Sequence, residues 1–309
     1  KVLCSCLNRC LFLCVTHHSV LSAMACAEWS PGSVPTVEAA VVVQLPAELG
    51  EGTLWDARNQ QLLWVDMMRS RLYRFDPNSG VNEEHDLSAY SKFVSSVVPL
   101  CEADDPTGDF VALTLGEGFA VYNFRERSLR ILPGNPSLGK NEMFNDGKVS
   151  PTGSYWAGTI ARDATGEPIS KGGLYRRNLD GSVDKVVEEV AVSNGLSWDP
   201  DCHTFYHTDT PNGTVDAWDY DAVTGAITNR RPCIEHFDFQ TTGVPDGHAQ
   251  DIEGMLWVAR WNGGRVGRYD PKTGALLAEV TFPETAGKQI TSVAFGGADL
   301  GDMYISTAH

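Results

Sequence analysis

The sequence predicts an all-β fold, a six-bladed β-propeller, on three observations. One strand type recurs six times, its period lies in the forties to low fifties, and hardly any segment shows helical periodicity. The recurring strand is an aromatic and β-branched run: LLWVD (62–66), FVALT (110–114), YWAGT (155–159), TFYHTD (204–209), LWVAR (256–260) and MYIST (303–307). With Trp64, Ala112, Trp156, Tyr206, Trp257 and Tyr304 as markers, the intervals are 48, 44, 50, 51 and 47 residues. A solenoid of similar period would carry helices, whereas several short strands per unit suit a propeller blade.

Two further elements accompany each marker. A second strand follows the first five, as in SRLYRFDPNSG (70–80) and GRVGRYDPKTG (264–274). Its Asp-Pro-x-x-Gly or Asp-Gly ending is hairpin chemistry, because Asp bonds its own backbone and Gly accepts positive φ. An inner element precedes each marker: GEGTLWD, VSSVVPL, FNDGKVSP, VSNGLSWDP, PDGHAQD and TSVAFGG.

The inner strand of a blade runs beside the central channel, so its first polar position converges with those of the other blades. Those positions are Glu51, Ser95, Asn145, Asn194, Asp246 and Ser292, spaced by 44, 50, 49, 52 and 46 residues. Asp209 joins them from the end of a marker strand, where a buried Asp after three β-formers is otherwise expensive. Carboxylates and amides without a cysteine are hard oxygen donors, which favour Ca²⁺, with Mg²⁺, Mn²⁺ or Zn²⁺ as alternatives. Taken singly, Asn145-Asp146-Gly147, Asn194-Gly195 and Asp246-Gly247 read as turns. Their coincidence with the blade period points instead to an axial ring, of which Glu51, Asn145, Asn194 and Asp209 are the expected members. His207 and His248 are read as structural, since side chains along a strand alternate in direction.

The composition narrows the partners. Of 309 residues, 24 are Lys or Arg and 40 are Asp or Glu, a formal net charge of −16. That balance argues against nucleic acid or anionic membrane as a partner, because both need basic patches. A metal ion and a neutral small molecule fit, and no protein partner is indicated. Five of eight cysteines lie in the first 26 residues, leaving Cys101, Cys202 and Cys233 in the body. Three scattered cysteines make no disulfide framework, so a reducing, cytoplasmic compartment is expected, with secretion by a weak N-terminal signal in LCSCLNRCLFLCV as the alternative. The chain opens at Lys1 while Met24 begins MACAEWSPG. Residues 1–35 are accordingly read as an extension outside the fold, with Met24 as the expected start, and the propeller spans 36–309. The last blade lacks a third strand after MYISTAH, so it is expected to be incomplete, with TVEAAVVVQ (36–44) pairing onto it.

From about residue 45 onward the chain resembles the regucalcin (senescence marker protein)–gluconolactonase family of calcium-dependent propellers. GEGTLWD, FNDGKVSPTGSYWAGTI, VSNGLSWDPDCHTFYHTDT, PDGHAQDIEGMLWVARWNGGRV and FGGADLGDMYIST each resemble a family block, in the family's order. The resemblance implies a hydrolase of sugar lactones and related cyclic esters that uses one divalent ion. It implies Glu51, Asn194 and Asp209 as metal ligands and Asp209 as general base. Asn145 is implied as a substrate contact or a water-mediated ligand, and Asp163 as an acidic substrate contact. Met143 stands where animal regucalcins carry a sugar-contacting Arg. A thioether offers no useful hydrogen bond to a sugar hydroxyl, which moves the expected substrate toward a less polar lactone or ester. The alternative function is a non-catalytic, Ca²⁺-binding regulatory propeller.

Overall fold

A computed structural model describes residues 10–16, 34–45, 47–235 and 237–308. Three strands come first: β1 (Cys10–Thr16), β2 (Thr36–Glu38) and β3 (Ala40–Leu45). Then follow β4 (Gly50–Asp56), β5 (Gln61–Asp66), β6 (Arg71–Asp76) and β7 (Val81–Asp86), and β8 (Val94–Pro99), β9 (Phe110–Leu115), β10 (Gly118–Asn123) and β11 (Ser128–Ile131). The third set is β12 (Glu142–Val149), β13 (Tyr155–Ala161), β14 (Gly172–Arg177) and β15 (Val183–Val190). The fourth is β16 (Ser193–Trp198), β17 (Thr204–Asp209), β18 (Thr214–Tyr220) and β19 (Ile227–Ile234). The fifth is β20 (Val244–Gln250), β21 (Leu256–Trp261), β22 (Arg265–Tyr269) and β23 (Leu276–Thr281), and the chain ends on β24 (Gln289–Gly296) and β25 (Asp302–Ala308).

These strands form an all-β propeller. Five blades are runs of consecutive antiparallel strands, and the fifth adds β2 in parallel beside β23. A further sheet, ordered β24-β25-β1-β3, is drawn from both ends of the chain. The segment 36–44 therefore divides. Ala39 is buried and its N–H donates to the Thr281 carbonyl, so β2 stays on the fifth blade while β3 joins the composite sheet through β1. The position expected to be empty beside β25 is taken by β1, which comes from the segment that the sequence reading leaves outside the propeller.

Apolar residues of neighbouring sheets interlock at each junction. Leu63, Val65 and Leu72 of the first blade meet Val97, Val111 and Leu113 of the second. Trp156 and Leu174 of the third meet Leu196, Phe205 and Tyr220 of the fourth. The junction of first and composite sheets holds Trp55, Trp64 and Tyr304. There the ring is also tied by hydrogen bonds: Thr53 N–H donates to Ser292 Oγ (3.1 Å), and Thr291 Oγ1 donates to the Gly50 carbonyl (2.5 Å). Hairpin chemistry is as expected. In Asp76–Gly80 the Asp76 carboxylate accepts from Asn78 N–H (2.9 Å) and Ser79 Oγ (2.8 Å), and Gly80 has φ 71°.

Candidate active site

The inner strands β4, β8, β12, β16, β20 and β24 line the centre, and every one carries a register shift at or beside its axial residue. A bulge bends the strand and re-aims a side chain, and bulges are enriched next to active sites. Asn145-Asp146-Gly147, Asn194-Gly195 and Asp246-Gly247 are thus strand segments with bulges, not turns. Glycine is required there by close approach. A Cβ on Gly195 would lie 2.1 Å from His248 Nδ1, and one on Gly247 would lie 2.7 Å from the Thr291 carbonyl.

Glu51, Asn145, Asn194 and Asp246 come together on one cavity of about 400 Å³, with Arg162 and Thr210 beside them. It adjoins a second cavity of about 600 Å³ that shares Leu49, Asn145, Ile160 and Arg162 with it. Asn145 Nδ2 donates to Asn194 Oδ1 and to the Ser193 carbonyl, both at 2.8 Å. Asn194 Nδ2 donates to Thr210 Oγ1 (2.9 Å), which donates to the Pro245 carbonyl (2.8 Å). The amides are therefore locked in place. The carboxylates are not: among the described residues Asp246 Oδ1 is buried with no hydrogen-bond partner, and Glu51 accepts only from the neighbouring Gly52 N–H, at 3.3 Å.

The electrostatics follow. Burial raises the Glu51 carboxyl well above the usual range, and the charges of Asp246 and Asp146 add to it. Burial raises Asp246 likewise, with Asp146 adding. Asp146 is itself raised by burial, offset in part by Lys148, whose ammonium burial pushes down. Glu51 and Asp246 thus share one cavity, with the Asp146 charge raising both, an arrangement typical of functional sites and relieved by a cation.

Of the residues expected at the site, the structure brings Glu51, Asn145 and Asn194 together and leaves Asp209 out. Asp209 Oδ1 accepts from Val192 N–H (2.9 Å), and Oδ2 accepts from Ala191 N–H (3.3 Å) and Asn212 Nδ2 (3.1 Å). Its carboxylate holds the loop that leads into β16. Asp66 does the same for the loop before β4, accepting from Glu48 N–H (2.9 Å) and Leu49 N–H (3.2 Å). Both Asp close a marker strand, LLWVD and FYHTD, so the repeat itself signals that Asp209 is a loop clamp. Asp246, one of the six axial positions, stands in the cavity instead. Ser95 and Ser292 turn away from it, Ser95 Oγ to Thr114 Oγ1 (2.8 Å) and Ser292 Oγ to the Thr53 N–H.

Met143 and Asp163 line the second cavity. The Asp163 Oδ1 already accepts from Thr165 N–H (2.8 Å), Thr165 Oγ1 (2.6 Å) and Glu167 N–H (3.1 Å), which ties it to its own loop and lowers its pKa. His207 and His248 are buried between strands, bonded to Ser193 Oγ (2.8 Å) and Ser197 Oγ (2.9 Å) respectively.

No group of three His, Cys, Asp or Glu side chains poised for a metal occurs among the described residues. The axial donors are of another composition: two carboxylates, one with an unsatisfied buried oxygen, plus amide oxygens. An all-oxygen set of this kind fits a hard divalent ion such as Ca²⁺, Mg²⁺ or Mn²⁺.

Residues 49–309 match the family model described as SMP-30/Gluconolactonase/LRE-like region. A Bacillus subtilis protein provisionally named sugar lactone lactonase YvrE is 37% identical over 272 residues, covering 88% of this chain and 87% of its own. Regucalcin of Bos taurus is 38% identical over 261 residues, covering 84% and 83%. Among solved structures, a luciferin-regenerating enzyme superposes with a TM-score of 0.75 at 30% identity, covering 85% of this chain and 84% of its own.

Proposed function

Because the chain belongs to the SMP-30/gluconolactonase/LRE-like family, we propose that it is a lactone hydrolase that works with one divalent metal ion, Ca²⁺ first among the candidates. Glu51, Asn194 and Asp246 would hold the ion, and Asp246, not the expected Asp209, takes the role of base. The observation that carries this reading is the buried Asp246 Oδ1, without a hydrogen-bond partner among the described residues, on the cavity that Glu51 and the locked pair Asn145–Asn194 also line. The composite sheet β24-β25-β1-β3 completes a ring of six blades in this reading.

When bound, a divalent cation supplies Lewis acidity to a carbonyl oxygen and lowers the pKa of water. The chain's own residues do the rest. Asp246 accepts the proton of a water whose oxygen bonds to the lactone carbonyl carbon. The ring C–O bond then breaks, and the ring oxygen leaves with that proton to give the hydroxy acid. Asn145 fixes Asn194 and faces the substrate, while Leu49, Ile160, Val192 and Trp261 exclude bulk water.

A purely ion-binding role leaves the two adjoining cavities without a purpose. The test is a panel of lactones assayed with Ca²⁺, Mg²⁺, Mn²⁺ and Zn²⁺. Metal-stimulated turnover should fall by about 10²–10⁴-fold in Asp246→Asn. Absence of turnover on every lactone with every metal would refute the enzymatic reading.

A further inference from the structure

The substrate class can be narrowed by asking which side chains around the second cavity are still free to bind a ligand. Its carboxylates already accept hydrogen bonds from the protein. Glu142 accepts from Thr159 Oγ1 (2.7 Å) and Gly139 N–H (2.8 Å), Glu117 accepts from Ser91 Oγ (2.9 Å), and Asp163 is tied into its own loop. Arg162 donates one arm to the Gly166 carbonyl (2.8 Å). Lys92 and Asn141 also line the space, and with them stands an apolar, polarisable group of Met67, Met68, Phe93 and Met143. Met68 is 40% exposed at the rim. Over the neighbouring polar floor stand Trp261 and Phe239, the latter 55% exposed.

Each hydroxyl of a polyhydroxylated ligand must recover the hydrogen bonds it loses from water, or it binds at a penalty. The group of Met67, Met68, Phe93 and Met143 offers none of that. Unbranched thioethers adapt to chains of varied shape, and cavities of about 400 and 600 Å³ side by side are in the range of ligands larger than a lone ring. We propose that the physiological substrate is a lactone bearing an unbranched hydrocarbon arm. The ring sits over Glu51, Asn194 and Asp246, and the arm runs past Asn145 along Met143 and Phe93 toward Met67 and Met68. Met143 is then a specificity-determining residue on the same strand as Asn145. This inference rests on the lactone-hydrolase reading above.

The experiment measures kcat/KM for δ-lactones with alkyl arms of increasing length and for glucono-δ-lactone, on wild type and Met143→Arg. A buried methylene contributes about fourfold in kcat/KM, so activity should climb by that factor per carbon until the cavity is filled. Met143→Arg should flatten the climb and improve glucono-δ-lactone. A flat response to arm length, or glucono-δ-lactone as the better substrate of the wild type, overturns the inference while the hydrolase reading stands. A second measurement separates the two: calorimetric binding of alkyl δ-lactams, which resist hydrolysis. No turnover of any lactone with lactam affinity that rises with arm length removes the hydrolase reading and keeps the arm site. No dependence of lactam affinity on arm length removes the arm site.

Discussion

Two aspartates of the fourth and fifth blades have the same charge and opposite situations. Asp209 accepts three hydrogen bonds and holds a loop, whereas Asp246 is buried with an oxygen that nothing bonds. Asp209→Ala should therefore lower unfolding stability by roughly 2–3 kcal/mol in denaturant titration, because buried N–H groups lose their acceptor. Asp246→Asn should leave the stability of the metal-free protein unchanged or higher, since it removes a desolvated charge repelled by Asp146. His207 gives a pH prediction. Burial lowers its pKa to about 3, with the Arg230 charge adding, and its Nδ1 has no partner. A depressed folded-state pKa means that the neutral ring's contribution is intact above the unfolded value of about 6.5 and is lost as pH falls toward 3. Unfolding stability measured from pH 7.5 to pH 4 should fall more steeply in wild type than in His207→Asn, whatever the offset between them. An equal slope would remove His207 from the acid response.

At the level of the strand, the repeat was readable and the role of its glycines was not. Marker strands, inner strands and Asp-Gly hairpins all fall where their patterns place them, because burial on both faces and turn chemistry leave direct traces in the residues. Asn194-Gly195 and Asp246-Gly247 carry the same letters as turns, yet they are bulged strand segments, since the reason for glycine lies on a neighbouring blade. Gly195→Ala should cost about 1–3 kcal/mol and depress activity, by pushing on His248 and so on the strand that carries both His248 and Asp246. Gly80→Ala, at φ 71° with open space around it, should cost about 1 kcal/mol and leave activity alone. Thermal unfolding with a parallel activity assay distinguishes the two; equal losses of activity would contradict the close-approach account. The outer strands were the least legible elements. VNEEHD (β7) and ITNRRPCI (β19) are largely exposed and charged, so they lack the apolar alternation that marks a strand.

Across the whole molecule, the candidate site joins blades that are far apart in sequence: Glu51 on β4, Asn194 on β16 and Asp246 on β20. The axial spacing made the convergence visible, but which aspartate faces the axis depends on loop contacts that no spacing encodes. An ion held between three blades should stabilise the ring by mass action, about 2.7 kcal/mol at a hundredfold excess over Kd. Scanning calorimetry with and without Ca²⁺ should show a rise of several degrees in Tm for wild type, and a shift of zero would argue against an axial ion. The most direct test is calorimetric titration of Ca²⁺ into wild type, Asp246→Asn and Asp209→Asn under identical conditions. An axial site built on Asp246 predicts that Asp246→Asn weakens binding at least about a hundredfold, while folded Asp209→Asn binds like wild type. Loss of binding in Asp209→Asn with wild-type affinity in Asp246→Asn would contradict it.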